Sequence, residues 1–274
     1  MGTFADKSKE KELIEIWRRS FNDSVEYIQM FWDWNASKAR IVVYEVDGKA
    51  VSVAYLLPVT YVEAGKSEVP CLYLYAAATL PEHRGHGYFG DILKFIRGKI
   101  PEPVILVPGE TSLIHYYEKQ GLYLWQEERL IEFFDESDTA SVQEAGSDIS
   151  VANYVSDISF EAYARQRDCV LAKAGYMKWD KHFMEYICHE NAVCGGKHKQ
   201  ITIAGEKYIA MYRVENRHLK ILELLPQTNV EMCVQVLMQE NSCERATVCL
   251  QPNVMASENL ATEKNKGYFN LTMG

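Results

Sequence analysis

The sequence predicts an α+β protein: a mixed, mostly antiparallel central sheet with flanking helices, built as two similar halves. Three observations carry that expectation. β-rich runs joined by short turn signals crowd residues 40–80, as antiparallel hairpins do. An apolar run, Leu72 to Leu80, then leads through a glycine turn straight into an amphipathic helix. Finally, the same order of helical and strand patterns returns after residue 150.

Taken in order, residues 9–34 read as two helices, with Leu13, Ile14, Trp17 and Phe21 on one stripe and Val25, Ile28, Phe31 and Trp32 on the next. Asn22 to Ser24 supplies the break and an N-cap. Arg40 to Val46 and Ala50 to Val62 flank Asp47-Gly48, a hairpin signal, and a second turn at Ala64 to Lys66 leads to Leu72 to Leu80. Beyond the glycine turn, Phe89, Ile92, Leu93 and Ile96 recur at helical spacing. Pro103 to Val107 reads as a short buried strand, Thr111 to Gln120 as a short helix and Leu122 to Phe134 as one strand. The acidic stretch after it reads as a linker, giving domains at 1–136 and 149–274 joined by 137–148.

The turn Arg84-Gly85-His86-Gly87 is the chemical centre of the sequence. The first amides of a helix lack intrahelical partners, and the aligned peptide dipoles add about half a positive charge there. Gly85 and Gly87 have no Cβ, so the backbone can take positive φ and a phosphate can approach the amides, with Arg84 beside them. A Gly-Lys-Ser/Thr end is missing, which excludes the P-loop of nucleotide hydrolases. Gly85, Gly87 and Gly90 do match G-x-G-x-x-G, and Glu110 lies at about the distance of an acidic ribose partner, so a dinucleotide site stays open.

At these residues the chain resembles the GNAT superfamily of acyl-CoA N-acyltransferases. Its signature, Arg/Gln-x-x-Gly-x-Gly/Ala, is met by Arg84 to Phe89, with Phe89 where the family has Gly or Ala. A second signature, Tyr-x-x-x-Gly followed by an apolar residue, follows as Tyr117 to Leu122. The resemblance covers residues 10 to 134 and implies the GNAT fold and acetyl-CoA as co-substrate. It implies a cofactor site at Ala78, Thr79, Leu80, Arg84, Gly85, His86, Gly87, Tyr88, Phe89 and Gly90, the pantetheine arm lying where two strands splay apart. It also implies that the first helix pair walls the acceptor pocket, which makes Phe21, Asp23 and Tyr27 candidates there.

Acyl transfer from a thioester to an amine needs a base for the amine, donors for the oxyanion and an acid for the departing thiolate. Tyr117 is the expected acid, by resemblance to the family's tyrosine; a phenol is still protonated at neutral pH. The family's usual strand carboxylate is missing from Leu72, Tyr73, Leu74 and Tyr75, so Glu110, Asp23 or a water chain must serve as base. By analogy with a two-domain relative, the C-terminal carboxylate of Gly274 is a further option. The expected reaction is acetyl transfer to a primary amine of a small molecule or peptide by direct attack. The competing reading is a non-catalytic acyl-CoA-binding or sensing protein.

The second half keeps the plan and loses the chemistry, as in a tandem GNAT arrangement with a degenerate second copy. His218 to Leu225 ends at Pro226 as the earlier strand ends at Pro81, and Val230, Cys233, Val234 and Leu237 repeat the helix spacing. Thr247 to Leu250 and Tyr268 to Leu271 read as its last two strands. Gln227-Thr228-Asn229, however, has neither glycine nor cation. Cys188, His189, Cys194 and His198 lack the paired spacing of a zinc site, so no metal is expected. Seven scattered cysteines point to reduced thiols and a cytoplasmic location. A charge of −9 disfavours nucleic acid and mildly favours a cationic acceptor. No apolar run approaches the roughly 20 residues that cross a bilayer, and Asp6 stands where a myristoylation motif needs Ser or Thr. No membrane partner is expected, and a homodimer is allowed.

Overall fold

Leu13, Ile16 and Trp17 are the buried stripe of the first helix, α1 (Glu10–Ser20), with Ile16 rather than Ile14 facing inward. Ser24 caps α2 (Val25–Asn35), its hydroxyl accepting the Tyr27 amide at 3.1 Å. Around them come β1 (Thr3–Phe4), β2 (Arg40–Val46), β3 (Lys49–Val62) and β4 (Glu68–Thr79). The chain continues through α3 (Tyr88–Lys99), β5 (Val104–Leu106), α4 (Ile114–Lys119) and β6 (Leu122–Gln126). This computed structural model describes residues 1–64, 68–134, 153–261 and 268–270.

The following elements are β7 (Arg129–Phe134), β8 (Tyr154–Asp157), α5 (Phe160–Leu171), β9 (Tyr176–Lys178) and α6 (Lys181–Val193). After them run β10 (Lys197–Ile203), β11 (Glu206–Glu215), β12 (His218–Leu225), α7 (Val230–Glu240) and β13 (Arg245–Gln251). The last are β14 (Val254–Ser257) and α8 (Glu258–Ala261).

Two compact units result, and they are not the spans 1–136 and 149–274. The first comprises Met1–Tyr61, Glu68–Gln126 and Asn253–Lys266; the second comprises Val62–Ser67, Glu127–Pro252 and Gly267–Gly274. The first unit's sheet runs β1-β2-β3-β4-β5-β14-β6, with β14 from the end of the chain antiparallel to both β5 and β6. The second unit's sheet runs β7-β13-β12-β11-β10-β8, with β7 from the first half antiparallel to β13. Each half thus lends one strand to the other half's sheet.

That exchange corrects two expectations. Leu122 to Phe134 is two strands, broken at Glu127 and Glu128 and divided between the units. The strand after β13 is Val254–Ser257, while Tyr268 forms, among the described residues, a single bridge to Tyr176. Residues 271–274, and the whole segment read as the 137–148 linker, lie outside the described residues.

In the first unit Ile92, Leu93 and Ile96 of α3 pack on Val42, Ala54, Leu56, Leu72 and Leu74 from three neighbouring strands. Burying each such side chain is worth roughly 1.5–3 kcal/mol, so this one helix face anchors the glycine turn to the sheet. The second unit repeats the arrangement with Cys233, Val234 and Leu237 of α7 against Ala210, Tyr212, Leu219 and Leu224.

Candidate active site

The parallel pair β4–β5 is registered only at Leu72↔Val104 and Tyr73↔Ile105, after which the strands part. Ala76, three residues on, has φ +45°, a left-handed kink inside β4 that an L residue adopts only when its surroundings hold it there. Past the kink the Leu80 amide donates to the Val51 carbonyl at 2.9 Å, and the Ala78 carbonyl accepts the Ser52 hydroxyl at 3.0 Å. Both groups therefore point to β3. Strand alternation then turns the amides of Ala77 and Thr79 towards the open side. The opening beside β5 is thus edged by Ala77 and Thr79, and the Leu80 amide, expected to grip a ligand, is already bonded.

At the end of β4 a 3-10 turn, Pro81–His83, leads into Arg84, Gly85, His86 and Gly87. Gly85 and Gly87 take φ +79° and +81°, and a Cβ at either would meet no atom within 4 Å. The cup is open, and the conformation is what demands glycine. α3 starts from Gly87 with no side chain capping it, whereas Ser159 and Asp180 side chains cap α5 and α6. Its first intrahelical bond runs from the Asp91 amide to the Gly87 carbonyl. The amides of Tyr88, Phe89 and Gly90 are the ones left for an anion. At Gly90 a Cβ would meet only the Gln120 side chain, at an ordinary 3.5 Å, so Gly90 offers its amide rather than a close approach.

Arg84 donates Nε to the Thr79 carbonyl at 3.1 Å, which fixes its guanidinium against the strand end. His86 turns back to donate Nδ1–H to the Arg84 carbonyl at 3.0 Å. Its ring lies 15° from parallel to Tyr88 at 5.4 Å, and Tyr44 of β2 stacks on Tyr88 at 4.4 Å. Nothing in the sequence marks Tyr44, because a strand tyrosine 44 residues before Tyr88 carries no loop signature.

Phe89, the departure from the motif, fills space between helices. Its ring stacks near-parallel on Tyr116 at 6.3 Å and meets Tyr117 edge-on at 6.5 Å. Tyr117 is buried in the same apolar cluster as Leu72, Leu74, Leu106 and Ile92. That burial, with a smaller contribution from Tyr116, pushes its phenol up to about 12. Tyr117 therefore keeps its proton at any physiological pH.

The two carboxylates expected as bases differ in setting. Asp23 accepts the Trp17 indole N–H at 2.8 Å between α1 and α2. Glu110 is exposed and accepts the Ser112 hydroxyl at 3.0 Å in its own turn. Among the described residues no three His, Cys, Asp or Glu side chains are grouped so as to hold a metal, and no helix is long and apolar enough to cross a membrane. None of the seven cysteines is in a disulfide.

In the second unit the corresponding opening is closed by the protein itself. β12 and β13 pair in parallel only from His218↔Arg245 to Ile221↔Val248. Beyond that, Gln227 donates Nε2 to the Leu250 carbonyl at 2.7 Å. Asn229 takes the left-handed place of Gly87, at φ +50°, and its Nδ2 donates to the Tyr208 hydroxyl at 2.7 Å.

Residues 4–125 match the model of the acetyltransferase (GNAT) domain. Among solved structures, the chain is similar to a conserved protein of unknown function from Enterococcus faecalis V583. The TM-score there is 0.67 at 14% identity, covering 93% of this chain and 72% of that one. It is also similar to GCN5-related N-acetyltransferases from Anabaena variabilis ATCC 29413 and Kribbella flavida. Their TM-scores are 0.63 and 0.62, at 16% and 12% identity, each covering 93% of this chain and 72% and 70% of theirs. At such identities the likeness is one of fold. No curated protein matches the sequence.

Proposed function

We propose that the chain is an N-acetyltransferase taking its acetyl group from acetyl-CoA and passing it to a primary amine, a reading supported by the match of residues 4–125 to the acetyltransferase (GNAT) domain model. The observation that carries this reading is the juxtaposition of an uncapped helix start at Gly87 with strands that part beyond Tyr73 and Ile105. A diphosphate fits the first, and the amide-rich arm of the cofactor fits the second.

In this reading the amides of Tyr88, Phe89 and Gly90 and the Arg84 guanidinium hold the diphosphate, with the backbone of Ala77 and Thr79 along the arm. The amine nitrogen attacks the thioester carbonyl carbon, and the new C–N bond forms as the carbonyl oxygen takes negative charge. The C–S bond then breaks, and the departing sulfur takes the Tyr117 proton. The ammonium proton leaves to a carboxylate, Asp23 or Glu110, or to water, and the Tyr117 phenolate regains a proton from solvent. A small-molecule or peptide amine suits an acidic protein of net charge −9.

The test is thermal protection by CoA, acetyl-CoA and NAD, followed by CoA release with an amine panel. Protection by CoA and acetyl-CoA with turnover is the expected result. CoA protection without turnover on any amine would instead favour an acyl-CoA sensor, and protection by NAD alone would overturn both readings.

A further inference from the structure

Trp17 of α1 is the hub of a second constellation. Its indole N–H fixes the Asp23 carboxylate through Oδ2 at 2.8 Å, leaving Oδ1 without a partner among the described residues. Its ring meets Phe21 edge-on at 6.1 Å and Tyr75 at 5.6 Å. The Tyr27 and Tyr75 hydroxyls are hydrogen-bonded at 3.3 Å. Trp17 itself is buried, but Phe21, Asp23, Tyr27 and Tyr75 all retain exposed surface.

Strand alternation fixes where this group lies. Leu72 and Leu74 pack in the cluster that holds Tyr117 and Ile92, so Tyr73 and Tyr75 face the opposite side of β4, towards α1 and α2. Tyr75 immediately precedes the kink at Ala76, where β4 has already left β5. Trp17 thus joins Asp23 to Tyr75, the residue next to that opening. The nearby carboxylates Glu15 and Glu82 are occupied by Arg18 and Arg19.

Resting on the acetyltransferase reading above, we infer that the acceptor is a primary monoamine carried on an apolar, aromatic body. Asp23 Oδ1 receives the ammonium, and the rings of Phe21, Tyr27 and Tyr75 receive the body. A cation is drawn to aromatic faces and to a carboxylate whose geometry is already set, so one positive charge is accommodated twice over. A polyamine brings no apolar body to cover the rings and would have to strip water from its further charges with a single carboxylate to meet them. An amino acid would bring its own carboxylate up to Asp23, which repels it.

The experiment uses the full chain with acetyl-CoA and three acceptors: phenethylamine, spermidine and phenylalanine. CoA release should give phenethylamine a kcat/KM at least about tenfold above either competitor, the discrimination expected when one unpaired charge must be desolvated. Phe21→Ala, which removes an exposed ring, and Asp23→Asn should each raise the KM for phenethylamine several-fold. The KM for acetyl-CoA and the thermal midpoint should stay where they are. Preference for spermidine or phenylalanine, or a Phe21→Ala enzyme indistinguishable from the parent, overturns the inference while leaving the acetyltransferase reading intact. Failure of CoA to protect the protein, or protection with no amine acetylated, removes both.

Discussion

Arg19 and Glu82 meet in a two-pronged ion pair, at 2.8 and 3.0 Å, that ties α1 to the turn just ahead of Arg84. One side of the link carries the Trp17 constellation, and the other leads into the glycine turn proposed to hold the diphosphate. The pair is exposed, so solvent screens it and its removal should scarcely move the thermal midpoint. Its effect belongs to position. Glu82→Gln should raise the KM for acetyl-CoA several-fold, and high salt should mimic the substitution. The Arg19 hydrogen bond holds the Glu82 carboxyl below its ordinary range. The link is therefore whole above the usual carboxylate pKa and lost as pH falls through the lowered one. Acetyl-CoA titrations across the acid range, in parent and Glu82→Gln enzymes, should converge at the acid end.

Tyr117→Phe keeps the ring that packs on Phe89 and removes only the hydroxyl proposed as proton donor. Turnover should fall by about 10²-fold or more, with acetyl-CoA affinity little changed, which is the range of a lost general acid. Since burial pushes the phenol up to about 12, its ionisation should cause no fall in rate near pH 10, where an exposed tyrosine would lose its proton. The folded state holds this proton more tightly than the unfolded chain. Its contribution, on the order of 2–3 kcal/mol, is complete below pH 10 and lost between about pH 10 and 12. Denaturation midpoints of parent and Tyr117→Phe proteins should therefore diverge only in that alkaline window.

The glycine turn and the α3 face were readable in the sequence because each rests on local spacing, whereas Tyr117 was singled out only by the resemblance. Gly85 and Gly87 had to be glycine for φ, and Ile92, Leu93 and Ile96 had to share a helix face. The strand exchange was not readable. Arg129–Phe134 has the same strand composition whichever sheet receives it, and Val254–Ser257 is too short to announce itself. The kink at Ala76 was hidden for a similar reason: alanine carries no preference for positive φ, and the neighbouring strands impose it. Phe89, a departure from the family motif, proved to be a packing residue joined to Tyr116 and Tyr117 from another helix.

The two turn glycines and Gly90 of α3 should separate on substitution. Gly87→Ala introduces a side chain with open space around it but a φ of +81°, so the loss is conformational, about 1–2 kcal/mol. CoA affinity should fall with it, because relaxing φ redirects the helix-start amides; Gly85→Ala should behave alike. Gly90→Ala lies inside α3, keeps its amide and meets only Gln120, so it should stabilise the protein by about 0.5–1 kcal/mol without raising the KM for acetyl-CoA. Urea denaturation and CoA titration on the three variants check both halves of the statement.

Deep in the second unit, Arg167 of α5 donates Nε to Glu223 of β12 at 3.1 Å, and the Tyr163 hydroxyl donates to the same carboxylate at 2.9 Å. Arg167 also reaches the Met177 carbonyl at 3.2 Å, and the rings of Tyr176 and Tyr268 flank its guanidinium. Both charges are almost wholly buried, so the favourable energy of the pair is offset by the water each ion gave up. Removing one partner is a different matter, because the other stays buried and uncompensated. Glu223→Gln or Arg167→Met alone should therefore destabilise the protein by about 3–5 kcal/mol. The double variant Arg167→Met, Glu223→Leu should lose much less than the sum of the single changes, a coupling that a double-mutant cycle in urea measures directly. If the two single losses simply add, the pair is not the unit that the hydrogen bonds make it.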